Sequence, residues 1–206
     1  MSHDYCDLAP AWPATLVEGP VRLRPIRRSD KRRWTELREA NRDWLAPWDA
    51  TSPLPGELPP PSFGAYVRQL SNQAREGTLM PWVIEYEDAM VGQVTISSIT
   101  RGAVQSGAIG YWIDRGAAGR GIVPAAVALA FDHAVTSAGL HRLEIAIRPE
   151  NGPSLRVVEK LGFREEGLRP RYLHVNGHWR DHRVFALTRE EVPEGLTARW
   201  RAAQPH

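Results

Sequence analysis

Between Ile109 and Ala134 the chain passes in quick succession through an apolar strand-like run, a turn crowded with glycine and a helix. Ile109, Tyr111, Trp112 and Ile113 are β-branched or aromatic, the types that suit a pleated, mostly buried segment. From Val123 the apolar residues recur as Val123, Val127, Ala130, Phe131 and Ala134, close to the 3.6-residue period of a helix with one buried face. A strand joined to a helix by so short a link belongs in a sheet with helices packed on it.

Gly116, Gly119 and Gly121 occupy that link. If their N–H groups converge on the helix start they make an anion site, because the first amides of a helix lack intrahelical partners and the macrodipole favours negative charge there. Arg120, between two of the glycines, adds a charge-assisted contact to a phosphate. A pyrophosphate is the natural ligand; a tight connection with no ligand is the other reading, and the glycines alone do not choose. Neither G-x-x-x-x-G-K-[ST] nor G-x-G-x-x-G is present in this turn.

Two further blocks carry more. The stretch GYWID-RGAAGRG-IVPAAV resembles the acetyl-coenzyme A motif of the GCN5-related N-acetyltransferases (GNAT), written [QR]-x-x-G-x-[GA], with Gly116 where Gln or Arg is frequent. Ile147–Gly167 resembles the N-x-x-S-x-x-[VL]-x-x-[KR]-x-G-F-x-x-E-G segment of the RimJ/RimL branch, whose members acetylate ribosomal-protein N-termini. Asn151, Ser154, Lys160, Gly162, Phe163, Glu166 and Gly167 all match, and Gly177–Asp181 resembles the G-x-W-x-D that follows. The blocks span about Val21–Leu187. The resemblance implies the GNAT fold, an α/β (α+β) architecture with a mixed, twisted central sheet of about seven strands flanked by helices, in which two central parallel strands splay apart. It implies acetyl-CoA as cosubstrate and a protein or peptide N-terminal α-amine as acceptor, attacking directly in a ternary complex.

It also implies roles. The backbone of Tyr111, Trp112 and Ile113 would bind pantetheine, with an N–H near Trp112 or Ile113 polarising the thioester carbonyl; Ala118, Gly119, Arg120, Gly121, Ile122 and Val123 would hold the diphosphate. Asn151 would contact pantetheine, and the Ser154 hydroxyl would sit near the sulfur as proton donor; local helix capping is the plainer reading of both. Where relatives carry a glutamate as general base, this chain has Leu173 and Ala108. Glu144 is taken with Ser154 as the catalytic pair, beside Glu85, Glu87 and His174 as alternatives, and water or an amine deprotonated in solution is equally admissible. The proline-rich stretch Pro47–Pro61 borders the acceptor groove in the family, and Trp48 and Tyr172 are taken as substrate-binding. Two other readings stay open, a small-amine acetyltransferase (antibiotic or polyamine) and an acetyl-CoA-binding module without turnover.

The remaining residues set bounds. At 206 residues the chain fits one domain: an arm over 1–19, a catalytic domain over 20–190 and a C-terminal helix or tail over 191–206. A net charge of +2, with arginines spread among acids, gives no nucleic-acid footprint. The single cysteine, Cys6, excludes an internal disulfide, and the histidines form no metal-ligand spacing. No apolar run or leader pattern marks a membrane span or export, so a cytoplasmic protein is expected, monomer or homodimer. The patterning predicts a first strand at Val21–Ile26, a helix capped by Ser29 or Asp30, a second helix from Phe63, strands at Met80–Tyr86, Val91–Ile99, Ala108–Ile113 and Leu140–Ile147, a helix at Ser154–Leu161, a hairpin through Val175–Gly177 and a last helix at Glu190–Ala202.

Overall fold

A computed structural model describes residues 11–54 and 62–204. Its strands, in chain order, are β1 (Leu16–Glu18), β2 (Val21–Pro25), β3 (Met80–Tyr86), β4 (Ala89–Thr100), β5 (Ser106–Ile113), β6 (Arg142–Ile147), β7 (Arg164–Val175) and β8 (His178–Thr188). The helices are α1 (Lys31–Ala40), α2 (Arg42–Leu45), α3 (Phe63–Arg75), α4 (Ile122–Thr136), α5 (Gly152–Leu161) and α6 (Leu196–Ala202). One sheet holds all eight strands in the order β1-β2-β3-β4-β5-β6-β8-β7. Only β5 and β6 run parallel; every other pairing is antiparallel.

The hairpins follow from their turn residues. Glu87 and Asp88 join β3 to β4 with φ of 50° and 63°, and Asn176 and Gly177 join β7 to β8 with φ of 46° and 82°. Two successive left-handed residues match the twist of the flanking strands. In β3, Trp82, Val83 and Ile84 are all fully buried, because helices cover both faces of the sheet there.

The sheet has eight strands rather than seven, and the extra one comes from the N-terminal arm. Described from residue 11, the arm docks on the core: Trp12 packs edge-on against Trp82 at 5.1 Å, and the Trp82 Nε1–H donates to the Ala14 carbonyl at 2.9 Å. Leu16 then pairs with Leu23 of β2. Two tryptophans in contact offset the entropy of ordering the segment, which apolar periodicity within three residues cannot reveal.

Helix α4 also departs from expectation. It has no single buried face: Ile122–Ala128, Ala130, Phe131, Ala134 and Val135 are all buried, because the sheet lies on one side and α5 and α6 on the other. Its run of alanines lets those neighbours approach closely. Leu196 and Trp200 of α6 belong to the same core, whereas α1 and α3 cover the opposite face through Ile26, Leu37, Val67, Leu70, Val83 and Met90. Asp30 precedes α1 but does not cap it: the carboxylate accepts from the Arg27 N–H and takes both Arg24 Nη groups at 2.8 and 2.9 Å.

Of the proline-rich stretch Pro47–Pro61, residues 55–61 lie outside the described residues. Its first half is pinned to β7: Ala50 bridges Val175, and the Thr51 N–H donates to the His174 carbonyl at 2.9 Å. Among the described residues no helix is long and apolar enough to cross a membrane.

Candidate active site

β5 and β6 stay paired for three residues only, Ser106–Arg142, Gly107–Leu143 and Ala108–Glu144, and then part. Beyond that point Ile109–Ile113 has a neighbour on one edge alone, β4. Hydrogen-bond alternation decides which groups face the opening. Asp114 donates to the Val91 carbonyl, and Gln105 accepts from Arg142 on the other edge. Gly110 and Trp112 therefore turn their amides to β4, while Ile109, Tyr111 and Ile113 turn theirs into the gap. The Trp112 N–H is thus spent within the sheet, which removes it from the expected contact with a thioester carbonyl. The Ile113 carbonyl is also taken, by Trp44 Nε1–H of α2 at 3.1 Å.

The strand leads into the glycine turn through a buried brace. Asn41, 4% exposed, donates to Asp114 Oδ1 at 2.8 Å and accepts from the Arg115 N–H at 2.8 Å. Gly119 and Gly121 follow with φ of 81° and 78°, a region closed to most side-chain-bearing residues. Among the described residues nothing accepts from the amides of Gly119, Arg120 or Gly121. Those of Ile122 and Val123 are first-turn amides of α4 with no carbonyl one turn back. Pro124, at the third helical position, has no N–H to leave orphaned. Five consecutive amides at a helix start make an anion cradle. Arg120 does not complete it: its guanidinium lies over the Tyr86 ring at 5.8 Å, and Arg156 and Lys160, one turn apart on α5, are the cations that line the cleft.

Tyr111 faces α5, and its Oη sits 2.6 Å from Ser154 Oγ. Burial pushes the phenol up to about 12, against a lowering by the Ser154 hydrogen bond, so it stays protonated at neutral pH. Asn151, the N-cap of α5, accepts from the Ser154 N–H at 3.2 Å, so its Oδ1 performs the local capping role while the residue lines the cleft. Gap, cradle and hydroxyl pair thus border one cleft, whose walls include Tyr111, Ile113, Gly119, Gly121, Asn151 and Ser154. An extended ligand with amides in its middle and a diphosphate at one end fits these groups.

Residues 21–164 match the acetyltransferase (GNAT) domain model, well over half of the chain. The chain belongs to the GNAT acetyltransferases. Like other GNAT proteins of its kind, it is an acetyl-CoA-dependent acyltransferase, and the parted β5 and β6 are the splayed strands that the resemblance implied. Its fold is similar to that of RimJ from Mycobacterium smegmatis, solved with CoA-disulfide, at a TM-score of 0.87 and 41% identity over 94% of this chain and 96% of that one. The [ribosomal protein uS5]-alanine N-acetyltransferase of Escherichia coli is 26% identical over 87% of this chain and 93% of its own length. A probable N-acetyltransferase of Bacillus subtilis, YjcK, is 42% identical over 101 residues, a match spanning 49% of this chain and only 56% of that relative.

In this GNAT chain the base candidates fall away from the cleft. Glu144 is clamped by Arg142 at 2.9 Å and Arg169 at 3.0 Å and does not line it, which corrects its pairing with Ser154. The neighbouring Glu166, held well down to about 2 by Arg142 and Arg164, belongs to the same charge network. Glu85 is buried against Arg24 at 2.7 Å, Glu87 occupies the β3–β4 turn, and His174 contacts Thr51 at 2.8 Å. Trp48 does line the cleft, with the Arg148 guanidinium 5.3 Å from its ring. Tyr172, 40% exposed, stands on β7 beside Arg169 and away from the cleft walls. Sequence reasoning missed Asn41, Trp44 and Arg156; only Arg156 left a signal, its four-residue spacing from Lys160. Among the described residues no cluster of His, Cys, Asp and Glu is arranged to hold a metal.

Proposed function

We propose that this protein acetylates the N-terminal α-amine of a protein, with the amine attacking the thioester directly in a ternary complex. The observation that carries the acyl-transfer half is the parting of β5 from β6 beside the unpartnered amides at the start of α4. The acceptor half is supported by the likeness to the uS5-alanine acetyltransferase and to RimJ along most of their lengths.

Acetyl-CoA supplies the acyl carbon as a thioester; the rest falls to this chain. The gap-facing groups of Ile109, Tyr111 and Ile113 align an amide-bearing arm as an added strand would. The cradle fixes the diphosphate and so the reach of that arm. Ser154 Oγ delivers the proton that the departing sulfur needs, and the Tyr111 phenol, still protonated at neutral pH, replaces it through their 2.6 Å hydrogen bond. No strong base is required, since a free α-amine near pKa 7.7–8.0 is partly neutral at pH 7; the proton that the nitrogen sheds after attack passes to solvent, and solvent returns one to Tyr111.

This reading has the protein work in the cytoplasm, as a monomer or homodimer, without nucleic acid. The pairing of arginines such as Arg24, Arg142, Arg169 and Arg183 with carboxylates supports the last point. The test is thiol release from acetyl-CoA with peptides bearing free Ala, Ser, Thr or Met N-termini, set against polyamines and aminoglycosides. Turnover with peptides alone is expected; turnover with small amines alone overturns the N-terminal acceptor, and binding without turnover leaves an idle acetyl-CoA module.

A further inference from the structure

We infer that Asp49 binds the ammonium group of the acceptor. The inference rests on the amine-acetylating reading above and assigns a part of the cleft that the family-like sequence blocks leave blank. Asp49 is the one carboxylate among the described residues that line the cleft. It follows α2 at the start of the proline-rich stretch, beside Trp48, and its side chain is 36% exposed. Arg38 of α1 meets both its carboxylate oxygens, at 2.5 and 3.3 Å, and is itself stacked 5.3 Å from the Trp112 ring and 5.8 Å from the Trp34 ring. The carboxylate is therefore oriented by a partner that is itself fixed, and each oxygen keeps a lone pair for a second donor.

The charge layout of the cleft favours this role. Arg156, Lys160 and the helix start make one end positive, suited to a diphosphate. A cation is repelled there; on the side of the cleft formed after α2, Asp49 is the acidic group, with its charge shared with Arg38. An aromatic cage is a poorer host, since the cleft tryptophans are already partnered: Arg115 lies 5.9 Å from Trp44, Arg148 5.3 Å from Trp48 and Arg38 5.3 Å from Trp112. Asp49 is partnered as well, by Arg38, but a carboxylate offers about four acceptor positions and Arg38 takes two, so room for an incoming ammonium remains on it.

The test compares two nucleophiles. Steady-state kinetics use whichever free amine the unaltered protein acetylates, together with its aminooxy counterpart, which is uncharged at pH 7. Asp49→Asn should lower kcat/KM for the amine about 10- to 100-fold, chiefly through KM, as loss of a charge-assisted contact would. With the aminooxy counterpart the loss should stay within about threefold, and calorimetric affinity for acetyl-CoA should be unchanged. Arg38→Gln, which removes the orienting partner but leaves the charge, should cost less than Asp49→Asn on the amine. Equal losses on both nucleophiles, or loss of acetyl-CoA binding, would mean that the ion pair only holds the loop, and would overturn the inference. If only small amines turn over, the N-terminal reading fails while Asp49 is judged by the same pair of nucleophiles; if no amine turns over, both fail.

Discussion

The two ends of the cleft are made of different material. At the cradle end the contacts come from backbone, the amides of Gly119–Val123, contributed by one continuous stretch of chain. At the other end the lining groups are side chains gathered from distant places, Trp44 and Asp49 after α1, Trp112 on β5 and Arg38 behind them. A backbone site tolerates almost any residue that adopts the right φ and ψ, whereas a side-chain site depends on identity. Changes of conformation should therefore damage the first end and changes of chemistry the second.

The largest effect expected is from conformation. Gly119→Val forces a β-branched residue to φ of 81° in open space, with no neighbour within 4 Å to clash. Acetyl-CoA affinity should fall more than about 100-fold while the protein stays folded, since the strain, of order 1–3 kcal/mol, sits at the ligand. Calorimetry that finds the affinity unchanged would break the comparison at once. Next comes chemistry in the middle of the cleft: Ser154→Ala should lower kcat about 10- to 100-fold with little change in the KM for acetyl-CoA. A rise in that KM with kcat preserved would make Ser154 a cofactor-positioning group instead.

Tyr111→Phe keeps the ring and removes only the hydroxyl, so a smaller loss in kcat, about tenfold or less, should appear in single-turnover measurements. The phenol, raised to about 12, is only half deprotonated at that pH, so it contributes no alkaline fall in kcat below about pH 10. A basic limb near pH 8 that vanishes in Tyr111→Phe would show the phenol to be far more acidic than its burial implies. The smallest effect is reserved for Arg120→Ala. With the guanidinium over Tyr86, acetyl-CoA affinity should change less than about threefold. A loss as large as that of Gly119→Val would mean that the cradle end depends on a side chain after all.

This division explains what could be read beforehand. Strand, glycine turn and helix declare themselves locally, through residue types and spacing, so β5, the cradle and α4 were legible, as were Ser154 and Asn151 at the start of α5. For Arg120 only the guanidinium contact was misread, because sequence proximity to the glycines says nothing of direction: its amide stays in the cradle while its side chain, between two left-handed residues, leads to Tyr86. Glu144 was misread for a related reason: Arg142 lies two residues before it on β6, but Arg169 and Glu166 join the same charge network only once β7 is placed across β8 from β6. Asn41 joins α1 to a turn more than seventy residues away, and the docking of Trp12 on Trp82 is equally remote in sequence. Long-range pairings of this kind leave no periodicity to detect.

The close approach of α6 to the cradle has a practical side. Trp200 lies where a Cβ on Gly121 would come within 3.1 Å of its ring, so the last helix packs directly against the cradle amides. Removing residues from Leu196 onward should therefore loosen a site whose cleft none of them lines. Cosubstrate affinity then becomes a gauge of whether the C-terminal helix is seated, and a fusion partner or tag at that end is best judged by it before any rate is compared.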